Sequence, residues 1–227
     1  MKKFLSVLTL LVMMSASALW AKNHNISGRV KGAQVTVQRM IKSHAAAELA
    51  ENIKKGVGVA IFPDVVKAGF IVSGRYGEGL VMRRDPETGK WYGPAFYSIA
   101  GGAFGLQAGV TSTALVLTVN NDQGMKAFRG GAFTVGIDVT ASAGTGGKES
   151  YVGTSLNSGA PITSYSITRG VFGGAALDGA VLSELPRVND QCWKKHMNNV
   201  QILNRQCPRY DVQKLTRLLD QLIARAK

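Results

Sequence analysis

Side chains that serve as nucleophiles, proton carriers or metal ligands are scarce in this chain, which has two cysteines and three histidines in 227 residues. The histidines, His24, His44 and His196, are scattered, and only His196 lies near the cysteines, Cys192 and Cys207. This spacing is not typical of zinc sites, and scattered histidines do not make a catalytic triad. We therefore expect no metal ion and no cofactor.

The two cysteines form an even pair, which in an exported protein predicts a disulfide between Cys192 and Cys207. Such a bond would close a loop of about 15 residues and stabilise the fold by about 3 kcal/mol in the chain-entropy model. Two free thiols are the alternative.

Glycine-rich stretches fall short of nucleotide-binding motifs. Residues 101–105 lack the G-x-G-x-x-G spacing, and after residues 144–148 (GTGGK) Glu149 stands where a phosphate-binding loop has Ser or Thr. The sequence also lacks the G-x-S-x-G and H-E-x-x-H motifs. We expect no enzyme. A hydrolase would need Asp138 joined to a nucleophile such as Ser142 or Tyr97, and we interpret Asp138 as a structural carboxylate.

The N-terminus has the pattern of a secretory signal peptide. Two lysines precede the apolar stretch Phe4–Met14, and small residues follow. We predict a signal peptide over residues 1–21 with cleavage near Ala21, although Ala18 is a second possible site, and hence a periplasmic or secreted protein. An uncleaved anchor is the alternative, but the stretch is shorter than the roughly 20 residues that span a bilayer. We expect no transmembrane helix after cleavage.

Charge and glycine are segregated along the chain, whose net charge is +13. Residues 22–55 carry a net +5, residues 56–184 a net charge of zero, and residues 185–227 a net +6. The neutral centre holds 25 of the 27 glycines. An excess of basic over acidic residues favours nucleic acid or an anionic membrane as a partner. For an exported protein we expect the membrane and no nucleic acid.

The centre has strand patterns. Residues 133–142 alternate strictly between apolar and polar or small side chains, which predicts a half-buried strand. Ala114–Val119 is continuously apolar, as in a strand buried on both faces. A shorter strand from Val57 should end at Pro63. Glycines inside strands favour bends and bulges, so we predict an α+β fold with a strongly twisted, antiparallel, glycine-rich sheet or barrel-like core.

The flanks have helical patterns. Apolar residues recur every four positions from Ala33 to Ile53, and Gly56 is a suitable helix stop. After Asp211, a predicted cap, the apolar residues of the C-terminal segment fall within one arc of a helix, with Lys214, Arg217 and Arg225 off that face. We expect both helices to pack on the sheet. A membrane-surface or partner-binding role of the C-terminal helix is the alternative.

Four ordered stretches resemble the SYLF domain family, a lipid-binding module shared by bacterial exported proteins and eukaryotic actin-patch proteins. The stretches are Lys55–Gly79 (KGVGVAIFPDVVKAGFIVSGRYGEG), Gly93–Val110 (GPAFYSIAGGAFGLQAGV), Phe133–Gly144 (FTVGIDVTASAG) and Ile162–Glu184 (ITSYSITRGVFGGAALDGAVLSE). The resemblance runs from about Val30 to Leu185. It places a SYLF-like domain at residues 22–185 and leaves residues 186–227 as a basic C-terminal extension.

The resemblance implies binding of phosphoinositides or other anionic phospholipids, and actin binding in some eukaryotic members. It implies no catalysis and no cofactor. One position departs from the family pattern, because Thr113 is followed by Ala114 where the family usually has Asp.

We therefore hypothesise a non-catalytic, exported protein that associates peripherally with anionic phospholipid. The alternative is an envelope scaffold that binds another protein through its glycine-rich sheet. The candidate lipid-binding residues are the basic residues of the first flank and the sheet, together with a basic–aromatic cluster near the first cysteine. They are Lys31, Arg39, Lys42, Lys54, Lys55, Arg75, Arg83, Arg84, Trp193, Lys194 and Lys195.

Overall fold

A computed structural model describes residues 25–69, 72–104, 109–135, 141–143, 160–170 and 179–226. These residues form six helices and eight strands, which confirms the predicted α+β class. The helices are α1 (Ile26–Ile41), α2 (Ala46–Lys55), α3 (Asp122–Arg129), α4 (Pro186–Trp193), α5 (Asn199–Ile202) and α6 (Tyr210–Ile223). The strands are β1 (Gly58–Gly69), β2 (Val72–Arg84), β3 (Trp91–Phe104), β4 (Gly109–Val119), β5 (Ala132–Thr134), β6 (Ala141–Ala143), β7 (Ile162–Gly170) and β8 (Val181–Glu184).

The strands form one sheet in the order β5-β8-β3-β2-β1-β4-β7-β6. Every neighbouring pair is antiparallel except β6 and β7. The two edge strands are joined by a short connection, because Thr134 and Ala141 are seven residues apart and so at most about 25 Å apart. A flat sheet would separate its eighth strand from its first by about 34 Å. The sheet is therefore curled, and it is open rather than closed.

Hydrophobic cores lie on both faces of the sheet. On one face, α1, α2 and α6 pack as a helical layer, and we call the core beneath it the first core. Its strand residues include Ile61, Phe96 and Val116. On the other face, α3 and α5 cover the second core, whose largest buried side chains include Tyr97 and Phe128. Adjacent residues of a strand point to opposite faces, so continuous apolar runs such as that of β4 supply both cores.

The first flank forms two helices rather than the one predicted. Asn25 caps α1, since its side chain accepts a hydrogen bond from the backbone N–H of Gly28 at 2.6 Å. The helix ends at Ile41, where the Ser43 hydroxyl donates to the Met40 carbonyl at 2.7 Å. This short polar turn lets α2 start in a new direction. Gly56 ends α2, as predicted.

Pro63 does not end the first strand, contrary to the prediction. It makes a β-bulge instead, where the registers of β1 with both neighbours shift between Ile61 and Val65. Proline lacks the N–H that a ladder position requires, and a bulge is one place where a strand tolerates it. The predicted strand over residues 133–142 is described only in part, as β5 and β6 at opposite edges, since residues 136–140 lie outside the described residues.

The basic C-terminal segment packs into the same structure as the sheet. Helix α6 buries Val212, Leu215, Leu219 and Leu222 in the first core, which confirms the predicted amphipathic face and its packing. The helix begins at Tyr210, with Arg209 rather than Asp211 at its cap. The predicted domain limit between residues 185 and 186 therefore coincides with no break in packing.

Replacing either of two glycines of β2 by alanine is expected to change the stability of the protein in opposite directions. An added Cβ at Gly79 would lie 2.2 Å from the Ile61 carbonyl oxygen, whereas at Gly74 it would meet nothing within 4 Å. We expect Gly79→Ala to lower the free energy of unfolding by about 2 kcal/mol. Gly74→Ala should raise it by about 0.5 kcal/mol, because glycine in a strand interior loses more backbone entropy on folding than alanine does. Urea unfolding of both variants tests this, and equal effects would contradict the described packing.

Candidate basic membrane-binding face

The structure brings the two basic flanks of the chain together in the helical layer. Helices α1 and α6 run in parallel and are joined by three side-chain hydrogen bonds, at the start, in the middle and at the end of α1. Arg209 Nη2 donates to Ser27 Oγ at 3.0 Å, Gln34 Nε2 donates to the Asp211 carbonyl at 2.7 Å, and Arg225 Nη1 donates to the Ile41 carbonyl at 3.0 Å. Cations more than 170 residues apart in the chain thus share one layer.

Exposed cations cover the outer side of this layer. The exposed residues are Lys31 and Lys42 of the first flank and Lys214, Arg217 and Arg225 of the second. Arg39 is half-buried, and Tyr210, 73% exposed, lies beside Arg217 with 5.7 Å between its ring centroid and the guanidinium carbon. We call this set the basic face.

The acidic residues of the same helices are all engaged with the protein. Helix α1 has none. In α2, Glu48 accepts a hydrogen bond from the Tyr165 hydroxyl and Glu51 pairs with Lys55. In α6, Asp211 pairs with Arg209 at 2.7 Å, and Asp220 accepts from the Trp91 indole at 2.8 Å. Within α1, α2 and α6, seven Lys or Arg residues outnumber these four carboxylates, so the helical layer keeps a net positive charge.

Lys54, Lys55 and Arg84 gather separately at the C-terminal end of α2. Arg84 Nη1 donates to the Lys54 carbonyl at 3.0 Å, and Lys55 pairs with Glu51 at 3.2 Å while its side chain stays 77% exposed. Carbonyl groups at a helix C-terminus carry partial negative charge and favour cations. Part of this predicted cluster therefore stabilises the helix end.

Arg83 and Arg75 lie away from the basic face. Arg83 neighbours Arg84 in β2 but points to the opposite face, where its Nε donates to the Leu203 carbonyl at 2.7 Å and its guanidinium lies 4.1 Å above the Tyr92 ring. It holds the C-terminal segment on the sheet. Arg75 is half-buried eight residues earlier, about 26 Å along the strand. The prediction grouped residues that the sheet separates.

The basic–aromatic cluster is divided as well. The Trp193 indole donates to the Pro94 carbonyl at 3.1 Å and its ring is half-buried against both cores, so it anchors α4 to β3. Lys194 caps α4 in the left-handed conformation, with a φ of 52°, and both Lys194 and Lys195 are exposed. The two lysines are available to a ligand, whereas the indole N–H is used.

Sequence reasoning did not include the cations of α6 among the candidate site residues. Their helical spacing placed Lys214, Arg217 and Arg225 off the apolar face, which was a usable signal. Their proximity to the first flank depended on the parallel packing of α1 and α6, which no local pattern encodes.

The residues considered for catalysis do not assemble a site in the described part of the chain. Tyr97 is fully buried, its hydroxyl donates to the Phe128 carbonyl, and it accepts from Asn199 Nδ2 at 2.7 Å. Burial raises the pKa of Tyr97 above the usual value for tyrosine. Asp138 and the Ser142 side chain lie outside the described residues. Among those described, no three His, Cys, Asp or Glu side chains converge as metal ligands would.

The two cysteines do not form the predicted disulfide in the structure. Cys192, in the last turn of α4, is buried in the first core, and Cys207, three residues before α6, is half-buried against the same core. Both are free thiols, so the bond between them stays a prediction.

On the side of the helical layer, none of the described helices covers one end of the sheet. Val181, Ala100, Tyr76 and Val66 lie in one row across four strands, and all but Ala100 are exposed. A second row holds Gly102, Gly74, Ala68 and Val110, the last 65% exposed. An added Cβ at Gly102 would meet only the Ser73 carbonyl oxygen, at 3.8 Å, so the rows form a shallow, mostly apolar surface. We call it the open sheet face.

The family follows from a match over more than half of the chain. Residues 100–222 match the Ysc84 family, described as Las17-binding protein actin regulator. The chain belongs to the Ysc84 (SYLF) family. The match crosses residue 185 and includes most of α6, in agreement with the continuous packing described above.

Curated relatives of the SYLF family support this assignment. The chain is 36% identical over 155 residues to the SH3 domain-containing YSC84-like protein 1 of Bos taurus, covering 68% of this chain and 45% of that protein. The human protein of the same name is 35% identical over 161 residues, covering 70% and 46%. Protein YSC84 of Saccharomyces cerevisiae is 30% identical over 155 residues, covering 67% and 33%. This SYLF chain thus spans about half the length of the mammalian relatives.

No solved structure matches the chain. Within the described residues of this SYLF protein, none of the helices combines the length and apolar character needed to cross a membrane. Ala114, the departure from the family pattern, is buried in β4 in register with Ile167 of β7.

Proposed function

We propose that this protein binds anionic phospholipid surfaces peripherally through its basic face, without catalysis. The observation that carries the proposal is the convergence of two distant basic flanks on one side of a neutral sheet. Phosphoinositide-like headgroups, with several phosphate charges, suit such a surface because separate cations can contact one headgroup or its neighbours.

The electrostatics favour a reversible association. Each Lys or Arg near an anionic bilayer contributes about 1 kcal/mol, and the attraction falls off within a Debye length of about 8 Å at physiological salt. Five exposed cations on the basic face give enough attraction for measurable binding. The proposal requires no inserted helix.

Co-sedimentation with lipid vesicles tests the proposal. We expect the chain without residues 1–21 to pellet with vesicles of phosphatidylcholine and phosphatidylserine, more strongly when phosphatidylinositol bisphosphate is added, and not with pure phosphatidylcholine. Raising the salt concentration should release the protein, because it screens the headgroup charges. Equal pelleting with neutral and anionic vesicles, or none with either, would refute it.

We also place the protein in the periplasm or outside the cell. The support is the lysine-flanked apolar stretch at the N-terminus, with small residues before Ala21. N-terminal sequencing of the protein recovered from an extracellular or periplasmic fraction should start at residue 22. Recovery only from the cytoplasm with residue 1 intact would contradict this location.

A second candidate function is attachment to another envelope protein through the open sheet face. The specific observation is an exposed row of Val66, Tyr76 and Val181 beside glycines that no described contact requires. Exposed apolar surface of this kind marks interaction sites. We expect Val66→Asn with Val110→Asn, which keep the net charge, to remove a stoichiometric partner while leaving vesicle binding unchanged. Loss of vesicle binding in this variant would instead assign the open sheet face to the lipid.

A further inference from the structure

The outward side of the helical layer consists of two parallel stripes of exposed side chains, spaced so that they share one direction on each helix. Along α1 and its C-cap the stripe consists of Lys31, Val35, Gln38 and Lys42. Along α6 it consists of Tyr210, Lys214, Arg217 and Gln221. Each stripe lies opposite the buried side of its helix, and both buried sides contribute to the first core. The two stripes therefore point away from the sheet together.

Each stripe places one apolar or aromatic side chain among cations. Val35 lies between Lys31 and Lys42 and is 46% exposed. Tyr210, at 73%, is the most exposed of the large hydrophobic side chains among the described residues. Neither stripe contains a carboxylate. This composition suits the headgroup region of a bilayer, where amphipathic rings lie beside cations and anionic phosphates.

Tyr210 and Arg217 are held together at the start of α6. The guanidinium carbon of Arg217 lies 5.7 Å from the centroid of the tyrosine ring, and Arg217 Nε donates to the Gln213 carbonyl at 3.3 Å. The residue before Tyr210 is fixed as well, because Arg209 pairs with Asp211. A phosphate bound by the Arg217 guanidinium would therefore lie beside the ring of Tyr210.

We propose that Tyr210, assisted by Val35, is an interfacial anchor that enters the headgroup region of an anionic bilayer, so that α1 and α6 lie flat on the membrane. This inference rests on the proposed function and adds to it a contribution that does not depend on charge. The tyrosine ring would lie among the headgroups and the upper acyl chains while Lys214 and Arg217 contact phosphates. Helices that lie in the interface combine burial of apolar surface with attraction to anionic lipid in this way.

The anchor predicts a dependence on salt that charge alone would not give. Salt screens the attraction between cations and headgroups, whereas burial of an aromatic ring does not depend on ionic strength. We expect Tyr210→Ser to weaken binding to vesicles of phosphatidylcholine and phosphatidylserine about fivefold. This ratio should persist when the ionic strength is raised to about 0.15 M, while the effect of charge reversal at Lys31 and Lys214 should shrink.

Val35 has a matched control on the other side of the sheet. Val200 of α5 is also 46% exposed, but α5 covers the second core and so faces away from the helical layer. We expect Val35→Ser to weaken vesicle binding about twofold and Val200→Ser to leave it unchanged. Because the replaced side chains are exposed, the urea unfolding midpoints of these variants and of Tyr210→Ser should match that of the unsubstituted chain.

Fluorescence quenching measures the depth of the anchor directly. The chain without residues 1–21, which keeps every described residue, has two tryptophans, Trp91 and Trp193, whose indoles both donate to groups of the protein. Their fluorescence is the background. We expect the additional fluorescence of Tyr210→Trp to be quenched by anionic vesicles whose lipids are brominated in the upper acyl chain. The additional fluorescence of Val200→Trp should not be quenched.

Failure of the anchor and failure of the proposed function give different results. If the unsubstituted chain binds no anionic vesicle, both are refuted. If it binds while Tyr210→Ser keeps the same affinity and Tyr210→Trp is not quenched, only the anchor is overturned. Weakening by Val200→Ser equal to that by Tyr210→Ser would also overturn it, as would a Tyr210→Ser effect that salt abolishes.

Discussion

Reversing the charge of Lys31 and Lys214 to glutamate is expected to weaken binding to anionic vesicles about 1000-fold. Each reversal removes an attraction of about 1 kcal/mol and adds a repulsion of similar size, so two reversals cost about 4 kcal/mol, and 1.4 kcal/mol corresponds to a tenfold change. Both side chains are exposed, one on each of the two parallel helices. The apparent dissociation constant from vesicle titration measures the effect.

The matched control is Lys126→Glu with Arg205→Glu. Both residues are exposed on the side of the second core, Lys126 in α3 and Arg205 after α5, and the change in net charge is the same. We expect this control to weaken binding less than about tenfold, because those charges face away from the bilayer. If both double variants lost the same affinity, binding would depend on net charge alone and the basic face would not be the site.

Glu78→Gln is expected to lower the free energy of unfolding by about 3 kcal/mol. Glu78 of β2 pairs with Arg29 of α1, whose side chain is only 7% exposed and whose Nε is buried without a hydrogen-bond partner among the described residues. Glu78 also accepts a hydrogen bond from the Tyr76 hydroxyl at 2.7 Å, and burial together with this carboxylate raises the pKa of Tyr76 to about 12. Glutamine keeps the shape but leaves the Arg29 charge buried without its counter-ion.

Asp64→Asn is the control for that variant. Asp64 lies opposite Glu78 in the sheet, is exposed, and accepts a hydrogen bond from Ser112 at 3.0 Å. We expect a change within about 0.5 kcal/mol there. Adding Arg29→Met to Glu78→Gln should recover most of the lost stability, because it removes the unpaired charge. Guanidinium unfolding of the four proteins decides this, and a Glu78→Gln effect no larger than the control would show that the pair contributes little.

Elements with a strong local pattern were predictable. The apolar arc of α6, the continuous run that became β4, and the stop at Gly56 all follow from periodicity and backbone preference. The predictions were wrong where two local signals conflicted. The four-residue spacing continued through Ser43 and His44, yet the chain turns there. Pro63 predicts a strand end, but β1 continues past it through a β-bulge.

The candidate site was predictable in composition but not in arrangement. Segregation of charge identified both flanks, and Lys31 and Lys42 do lie on the basic face. Arg83 and Arg84 are adjacent in sequence yet serve opposite faces of the sheet, because side chains alternate along a strand. Trp193 suited a membrane interface by type, but its indole donates to a carbonyl of β3.

By itself the sequence determined that this is a neutral, glycine-rich sheet with two basic helical flanks, because composition and periodicity are local properties of the chain. Only the tertiary structure decided that the flanks meet. The parallel packing of α1 on α6 is set by long-range hydrogen bonds and by a shared core, neither of which leaves a local trace.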